Sequence, residues 1–177
     1  MAGSLAVPVS DLDHVAGSLH APVVVVEYGD FECPICQSSE PAVKHLREMH
    51  GAKLAFVFRH YPLEDAHPNA LLAAEATEAA GAQGKFWEMH DALYENQEDL
   101  GQPLIESLVE QLQLDAGKFA TDLETRAFQS RVKKDFMGGV RSGVNGTPGL
   151  FINGERFDQG WDEESLTRAL LAAAKSG

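Results

Sequence analysis

The chain has 177 residues, a length that suits one domain or one domain with a sizeable insertion. It is 44% apolar and 23% charged, as globular proteins are, and a net charge of −13 with no basic cluster argues against nucleic acid and anionic membrane surfaces. No apolar stretch reaches transmembrane length, so membrane insertion is not expected.

The N-terminal stretch MAGSLAVPVSDLDH has no positive n-region and no long apolar core, so it does not read as a secretory signal. Taken as written, the chain is expected in the cytoplasm. A sequence that starts at a mature N-terminus would place it in the periplasm or outside the cell. Residues 1–20 carry few periodic apolar positions and predict an arm or a short strand. Pro22 opens the run 23–28, whose β-branched content and brevity predict a buried central strand.

Cys33-Pro34-Ile35-Cys36 follows, and it holds the only two cysteines of the chain, so no other cysteine is left for a structural disulfide. From Cys33 to about His50 the pattern is helical, and Gly51 suits the position just past a helix end. Residues 54–58 (LAFVF) predict a second strand. Strand, helix and strand imply a parallel pair with a right-handed crossover.

The stretch to about residue 142 reads as wholly helical. Pro68 suits a first helical position, ahead of an Ala/Leu/Glu-rich segment at 69–80. Phe86, Met89, His90 and Leu93 share one face of a second helix. Leu104, Ile105, Leu108, Val109 and Leu112 mark a third. Phe119, Leu123 and Ala127, then Phe128, Val132, Phe136 and Val140, continue the pattern. Trp87 and Tyr94, with Phe86 and Met89, read as packing core, with a substrate patch as the other reading.

The end returns to strand. Leu150-Phe151-Ile152 and Glu155-Arg156-Phe157 flank Asn153-Gly154, a two-residue hairpin signal. Asp162 suits an N-cap with Trp161 and Leu166 as a staple, and Leu166, Ala169, Leu170 and Ala173 face the core of a last helix. The fold class is α/β, a central mixed sheet flanked by helices. Residues 1–64 and 143–177 form its two halves, and 65–142 an inserted all-helical domain.

The two cysteines carry the chemistry. A strand that ends before a helix start puts Cys33 at a helix N-terminus, where unpaired N–H groups and the helix dipole favour a thiolate. Cys36 lies one turn inside, placed to resolve a mixed disulfide formed at Cys33. Half of a zinc site is the competing reading, but zinc wants about four ligands and the histidines show no tight ligand spacing. Pro34 removes an N–H that a helix start leaves unpaired. Ile35 offers apolar surface to a substrate beside the sulfur, or simple packing. Asp30 and Glu32 crowd the site, either opposing a thiolate or forming a solvated turn. His60 and His67 read as loop or capping histidines, with the active-site face as the other option.

At this point the sequence resembles the DsbA-like branch of the thioredoxin superfamily, in which a helical domain interrupts the thioredoxin fold. Glu27 stands six residues before Cys33, Pro41 eight after it, and Glu40 just before that proline. Val144-Asn145-Gly146-Thr147-Pro148 precedes the hairpin where the family carries its cis-proline. The phrases EYGDFECPIC, FRHYPL, GKFWEMH and NGTP…FING resemble cytoplasmic or antiporter-fused bacterial members, from about residue 12 to the end. Two positions depart from the pattern. Pro-Ile lies between the cysteines in place of a dipeptide with histidine, which implies a milder oxidant. Gly149 replaces a bulkier residue after the proline, which implies an altered substrate groove.

The resemblance implies a thiol–disulfide oxidoreductase with Cys33, Cys36 and Glu27 as catalytic residues. Glu27 would lie buried beneath Cys36 and move a proton, whereas a strand-end carboxylate open to water is its plainer role. Glu40 reads equally as solvated helix surface. Thr147 and Pro148, with Pro34 and Ile35, would meet the substrate. Its partners would be protein thiols or disulfides and glutathione, with a separate redox partner that regenerates the pair. No metal and no organic cofactor is implied. Two other readings stand beside it: a non-catalytic redox sensor or interaction module paired with a membrane antiporter, and a dimer whose two CxxC motifs share one metal ion.

Overall fold

The computed structural model of the chain describes residues 3–176. Met1, Ala2 and Gly177, the outermost residues of the two expected sheet halves, lie outside the described residues. Strand β1 (His14–Ala16), strand β2 (Val23–Gly29), helix α1 (Pro34–His50) and strand β3 (Leu54–His60) come first. Five helices follow with no strand between them: α2 (Ala70–Gly81), α3 (Phe86–Glu95), α4 (Gln102–Gln111), α5 (Ala116–Glu124) and α6 (Gln129–Arg141). Strand β4 (Gly149–Ile152), strand β5 (Glu155–Phe157) and helix α7 (Glu163–Ser176) complete the order.

The strands form one sheet in the order β1-β3-β2-β4-β5. β2 and β3 run parallel and the other pairs antiparallel, so the sheet is mixed. A parallel pair cannot be closed by a tight turn, and α1 supplies the crossover. β2 is central, with Glu27 in register between Phe58 of β3 and Leu150 of β4.

Alternation along the strands explains why both sheet faces are covered. Val23, Val25, Phe56, Phe58, Leu150 and Ile152 join one apolar cluster with Val43 and Leu46 of α1 and Leu166 and Leu170 of α7. Val26, Tyr28, Val57 and Phe151 join another on the opposite side. Glu27 is in phase with Val23 and Val25, so its side chain enters the face beneath α1.

Helices α2 to α5 pack on one another, whereas α6 packs on β2 and β3 as well as on α2. The second sheet face is apolar and needs a cover, and α6 supplies it. Phe136 stacks on Tyr61 with ring centroids 4.4 Å apart. Gly139 makes the approach close enough, because a Cβ there would stand 2.6 Å from Tyr61 Cδ2. A helical pattern in the sequence does not tell which helices of the block return to the sheet.

Several boundaries follow local chemistry. α1 ends at Gly51, whose φ of 46° is the left-handed turn that glycine allows. Asn153 and Gly154, with φ of 49° and 83°, make the expected tight turn between β4 and β5. Ser165 N donates to Asp162 Oδ1 at 2.9 Å, which caps α7. Pro68 is not the first helical residue expected of it. α2 starts at Ala70, and the Asn69 N–H points outward to Glu32 Oε2 at 2.7 Å. β3 runs two residues beyond 54–58 because Arg59 and His60 are buried with partners. The Arg59 guanidinium donates to Asp13, to Tyr28 Oη and to the carbonyls of Val7 and Pro8, over 2.8 to 3.1 Å. It pins the N-terminal arm to the sheet, and Gly3, Ser4 and Leu5 then run antiparallel beside β5.

Candidate active site

Cys33 is the N-cap of α1, with Pro34 in the first turn and backbone angles still extended. Its carbonyl accepts the Gln37 N–H at 3.1 Å, the first bond of the helix. Cys36 lies one turn further and is buried, and both thiols are free. The Cys33 thiol donates to the Thr147 carbonyl at 3.4 Å. The Thr147–Pro148 peptide is cis. Ile35, half exposed at 50%, and the exposed Pro34 form the outer surface of the turn. The structure therefore brings Cys33, Cys36, Glu27, Thr147, Pro148, Pro34 and Ile35 around one turn.

The electrostatics separate the two sulfurs. The Cys36 thiol hydrogen-bonds to the Cys33 sulfur and, with Thr147 and the Cys36 and Ile35 N–H groups, lowers the Cys33 pKa to about 5 against the opposing effect of burial. Burial, that same hydrogen bond and the Glu27 carboxylate push Cys36 well above an ordinary thiol. Glu27 is buried, and burial, Glu40 and Cys33 raise it well above the usual carboxylate range, with Arg47 opposing. One sulfur is set to be a thiolate and the other to keep its proton, beside a buried carboxyl whose hold on a proton is strengthened.

The acids before the motif are not a solvated turn. Asp30 is buried, and its carboxylate accepts the N–H groups of Glu32 and Leu63, both at 2.8 Å. Its carbonyl accepts the Cys33 N–H at 3.1 Å and the Tyr94 hydroxyl at 3.4 Å. The Glu32 carboxylate is occupied by Asn69. Both carboxylates are held by N–H donors at the turn that carries Cys33. Gln97, between α3 and α4, donates to the carbonyls of Phe31 and Cys33 at 2.8 and 3.0 Å. Backbone carbonyls of the reactive turn are thus held by the helical block.

Three further side chains stand near the site, of which the sequence raised Glu40 and His67 only as one of two options and gave no sign of Gln97. Glu40 is buried, and burial with the nearby Asp91 raises its pKa to about 8 against Arg47 and Lys44. His67 Nδ1 lies 2.7 Å from Asp30 Oδ2. Gln97 carries no pattern at all. Of the other positions, His60 is buried and pairs with Glu78 at 2.9 Å. Phe86, Met89 and Tyr94 are core, and Arg47 lies over the Trp87 ring at 4.6 Å. The space above Gly149 is filled by the Val144 side chain, so the small residue accommodates a neighbour and does not open a groove.

Two clusters among the described residues bring metal-ligand atoms within 4.8 Å of one another: Glu40, His90 and Asp91, and His60, Glu78 and Asp135. Neither includes a cysteine. Arg47 acts on all three groups of the first. Arg131 stands 3.9 and 3.5 Å from the acids of the second. A cationic side chain already answers the carboxylates in each, and we assign a metal to neither.

A mixed sheet with its motif at the start of α1, interrupted by helices between β3 and β4, defines a thioredoxin-type fold of the DsbA kind. Solved structures agree. BdbD from Bacillus subtilis superposes with a TM-score of 0.83 at 23% identity, over 98% of this chain and 97% of that one. Wolbachia pipientis alpha-DsbA1 gives 0.83 at 18% identity, over 97% and 95%. The family model described as Thioredoxin matches residues 10–172, and the chain belongs to that family, with the fold these DsbA-type structures share. The Na(+)/H(+) antiporter NhaA 1 of Salinispora arenicola is 46% identical over 170 residues, which are 96% of this chain and 26% of that protein. NhaA 3 of Salinispora tropica is 44% identical over 173 residues, 97% and 26%. The chain spans about a quarter of the length of these curated relatives. No helix of the described residues is long and apolar enough to cross a membrane.

Proposed function

We propose that the chain is a thiol–disulfide oxidoreductase that passes a disulfide between its Cys33–Cys36 pair and protein or small-molecule thiols. The observation that carries this reading is the placement of the two sulfurs: Cys33 caps the start of α1 against the Thr147 carbonyl of the cis-proline loop, and Cys36 lies buried one turn inside.

In the oxidising direction a substrate thiolate attacks Cys33 Sγ of the disulfide. The Cys33–Cys36 bond breaks, its electron pair goes to Cys36, and the Cys36 sulfur takes a proton from Glu27. A second substrate thiolate then attacks the substrate sulfur of the mixed disulfide. Cys33 leaves as its stabilised thiolate, the substrate is oxidised by two electrons, and the pair is left as the dithiol. In reverse, the Cys33 thiolate attacks a disulfide, and Cys36 resolves it after Glu27 accepts its proton. The Thr147 carbonyl and the Ile35 surface bound the space where the substrate sulfur sits. A Cys33 of low pKa stabilises the reduced pair, so the reaction as drawn favours net oxidation, and another thiol–disulfide partner must reoxidise it.

Equilibration with glutathione, read by thiol alkylation, tests the reading. A reversible couple above about −180 mV supports an oxidant. A value near or below about −250 mV supports a reductant, and no couple at all overturns the reading. The second reading, a redox module whose disulfide controls binding to a membrane antiporter, is favoured by the identity to proteins named as antiporters. Turnover of a model disulfide discriminates, because a pure sensor shows little.

A further inference from the structure

Gln97 opens the single turn Gln97–Asp99 between α3 and α4. Its Nε2 donates to two carbonyls of the reactive turn, that of Phe31 at 2.8 Å and that of Cys33 at 3.0 Å. Only the NH2 end of an amide can meet two acceptors, so these contacts fix which way the side chain faces. The segment that carries it is itself tied down. Tyr94 is buried and its carbonyl accepts Gln37 Nε2 at 3.1 Å, and Leu100 N donates to the Gln97 carbonyl at 3.1 Å.

Cys33 has the extended angles of an N-cap, φ −76° and ψ 120°. As a thiol it spends its hydrogen on the Thr147 carbonyl. As a thiolate its sulfur takes the part of a capping oxygen. The donors that a cap side chain accepts from are the N–H groups of the second and third helical residues, here Ile35 and Cys36. That geometry depends on the plane of the Cys33–Pro34 peptide. Pro34 has no N–H, so this plane can be anchored only through the Cys33 carbonyl. Two donors hold it, Gln37 N at 3.1 Å and Gln97 Nε2. The first is made at the start of any α-helix, whereas the second comes from another element. The Phe31 bond fixes the 31–32 peptide, and the Cys33 N–H, given to the Asp30 carbonyl at 3.1 Å, fixes the one between.

We propose that Gln97 is a positioning residue for the exchange reaction: its amide holds the peptide planes before and after Cys33, so that the first N–H groups of α1 stay aimed at the Cys33 sulfur when it carries negative charge. The proposal rests on the reading of the two cysteines as an exchanging pair. The amide adds no charge of its own, so what it supplies is the orientation of backbone dipoles.

The test is Gln97→Met in the whole chain, which keeps the length of the side chain and removes both donors. The midpoint of the Cys33 thiolate absorbance in the reduced protein should rise by about half a pH unit or more. The glutathione equilibrium at pH 7 should shift toward the disulfide by about threefold, the same half unit expressed as a ratio. Gln97→Glu sets a carboxylate against the two carbonyls and should raise the midpoint further. Gln37→Met cuts the neighbouring tie to Tyr94 but leaves both carbonyls of the turn held, so its midpoint should match the wild type. An unmoved midpoint in a folded Gln97→Met protein overturns the proposal. So does an equal rise in Gln37→Met, because a loosened helical block would then suffice. A wild-type measurement decides the case where the variants do not fold. By NMR the Gln97 side-chain amide hydrogens should exchange more slowly than those of a free amide, and should shift as pH crosses the Cys33 midpoint. Free exchange, or no shift, overturns the proposal. A chain that forms no disulfide with glutathione overturns the reading of the pair and this proposal with it, whereas an unmoved midpoint in a chain that forms one overturns the proposal alone.

Discussion

Cys33 and Thr147 are 114 residues apart in the chain, yet the Cys33 thiol donates to the Thr147 carbonyl at 3.4 Å. The contact joins the start of α1 to the cis-proline loop, so the site exists only when both halves of the sheet domain are assembled around β2. The sulfur is influenced from both sides, and the largest influence comes from Cys36.

Cys36→Ala should therefore raise the Cys33 pKa from about 5 by at least one unit, measured by thiolate ultraviolet absorbance. In the wild-type protein thiolate should exceed thiol by roughly 100-fold at pH 7, two units above that value. Cys33→Ala should leave Cys36 unreactive toward alkylating reagents at neutral pH, since it is buried and its pKa is raised.

Glu27→Gln keeps the size and burial of the side chain and removes its capacity to accept a proton. The mixed disulfide formed by a single-turnover reaction should persist in this variant, with resolution slowed on the order of 100-fold. Stopped-flow alkylation with mass analysis follows that species. Resolution at the wild-type rate would remove Glu27 from the proposed mechanism.

Glu40 gives a pH dependence whose sign is fixed by its shift. Its pKa is raised to about 8 in the folded chain, against 4.5 for an ordinary glutamate. Between those values the folded state binds more protons than the unfolded, so stability falls as pH rises through that window. Glu40→Gln should flatten the contribution and stabilise the protein above pH 8 by about 1 kcal/mol or more, read from urea midpoints at pH 5 and pH 8.5.

Arg59 makes the clearest structural case. Arg59→Met leaves Asp13, Tyr28 and two carbonyls without their shared donor in a buried place. The expected loss is about 3–5 kcal/mol, with early hydrogen exchange of the arm around Val7 to Asp13.

Gly139→Ala tests whether α6 reaches the site. The new methyl group would crowd Tyr61 and Tyr28 and should cost about 1–3 kcal/mol. Tyr61 Oη donates to the Val144 carbonyl at 2.7 Å, at the start of the cis-proline loop, so disulfide exchange should weaken as well. Stability lost with exchange intact would separate α6 from the reaction.

The sequence carried the motif and the frame around it for local reasons. Cys33 and Cys36 are neighbours along the chain, α1 is bracketed by Pro34 and Gly51, and the β4–β5 turn is written in Asn153-Gly154. The resemblance also implies a buried Glu27 beneath Cys36. What stayed hidden depends on long-range packing. Glu40 falls where a helix surface would be, and only Arg47, Asp91 and the packing of α3 make it buried. His67 and Gln97 lie in irregular segments without periodicity, and their partners are backbone or carboxylate groups dozens of residues away. Asp30 and Glu32 look like free charges until the loop before α2 folds over them.

The hairpin at the sheet margin has one more consequence. β5 is three residues long and would offer unpaired backbone groups to any passing strand. Here Gly3, Ser4 and Leu5 occupy that margin, with Leu5 N donating to the Gly154 carbonyl and Arg156 N to the Gly3 carbonyl, each at 2.9 Å. A chain trimmed past Leu5 would bare a sticky rim. Its defect would show as concentration-dependent association and clouding on storage, well before any loss of thiol chemistry.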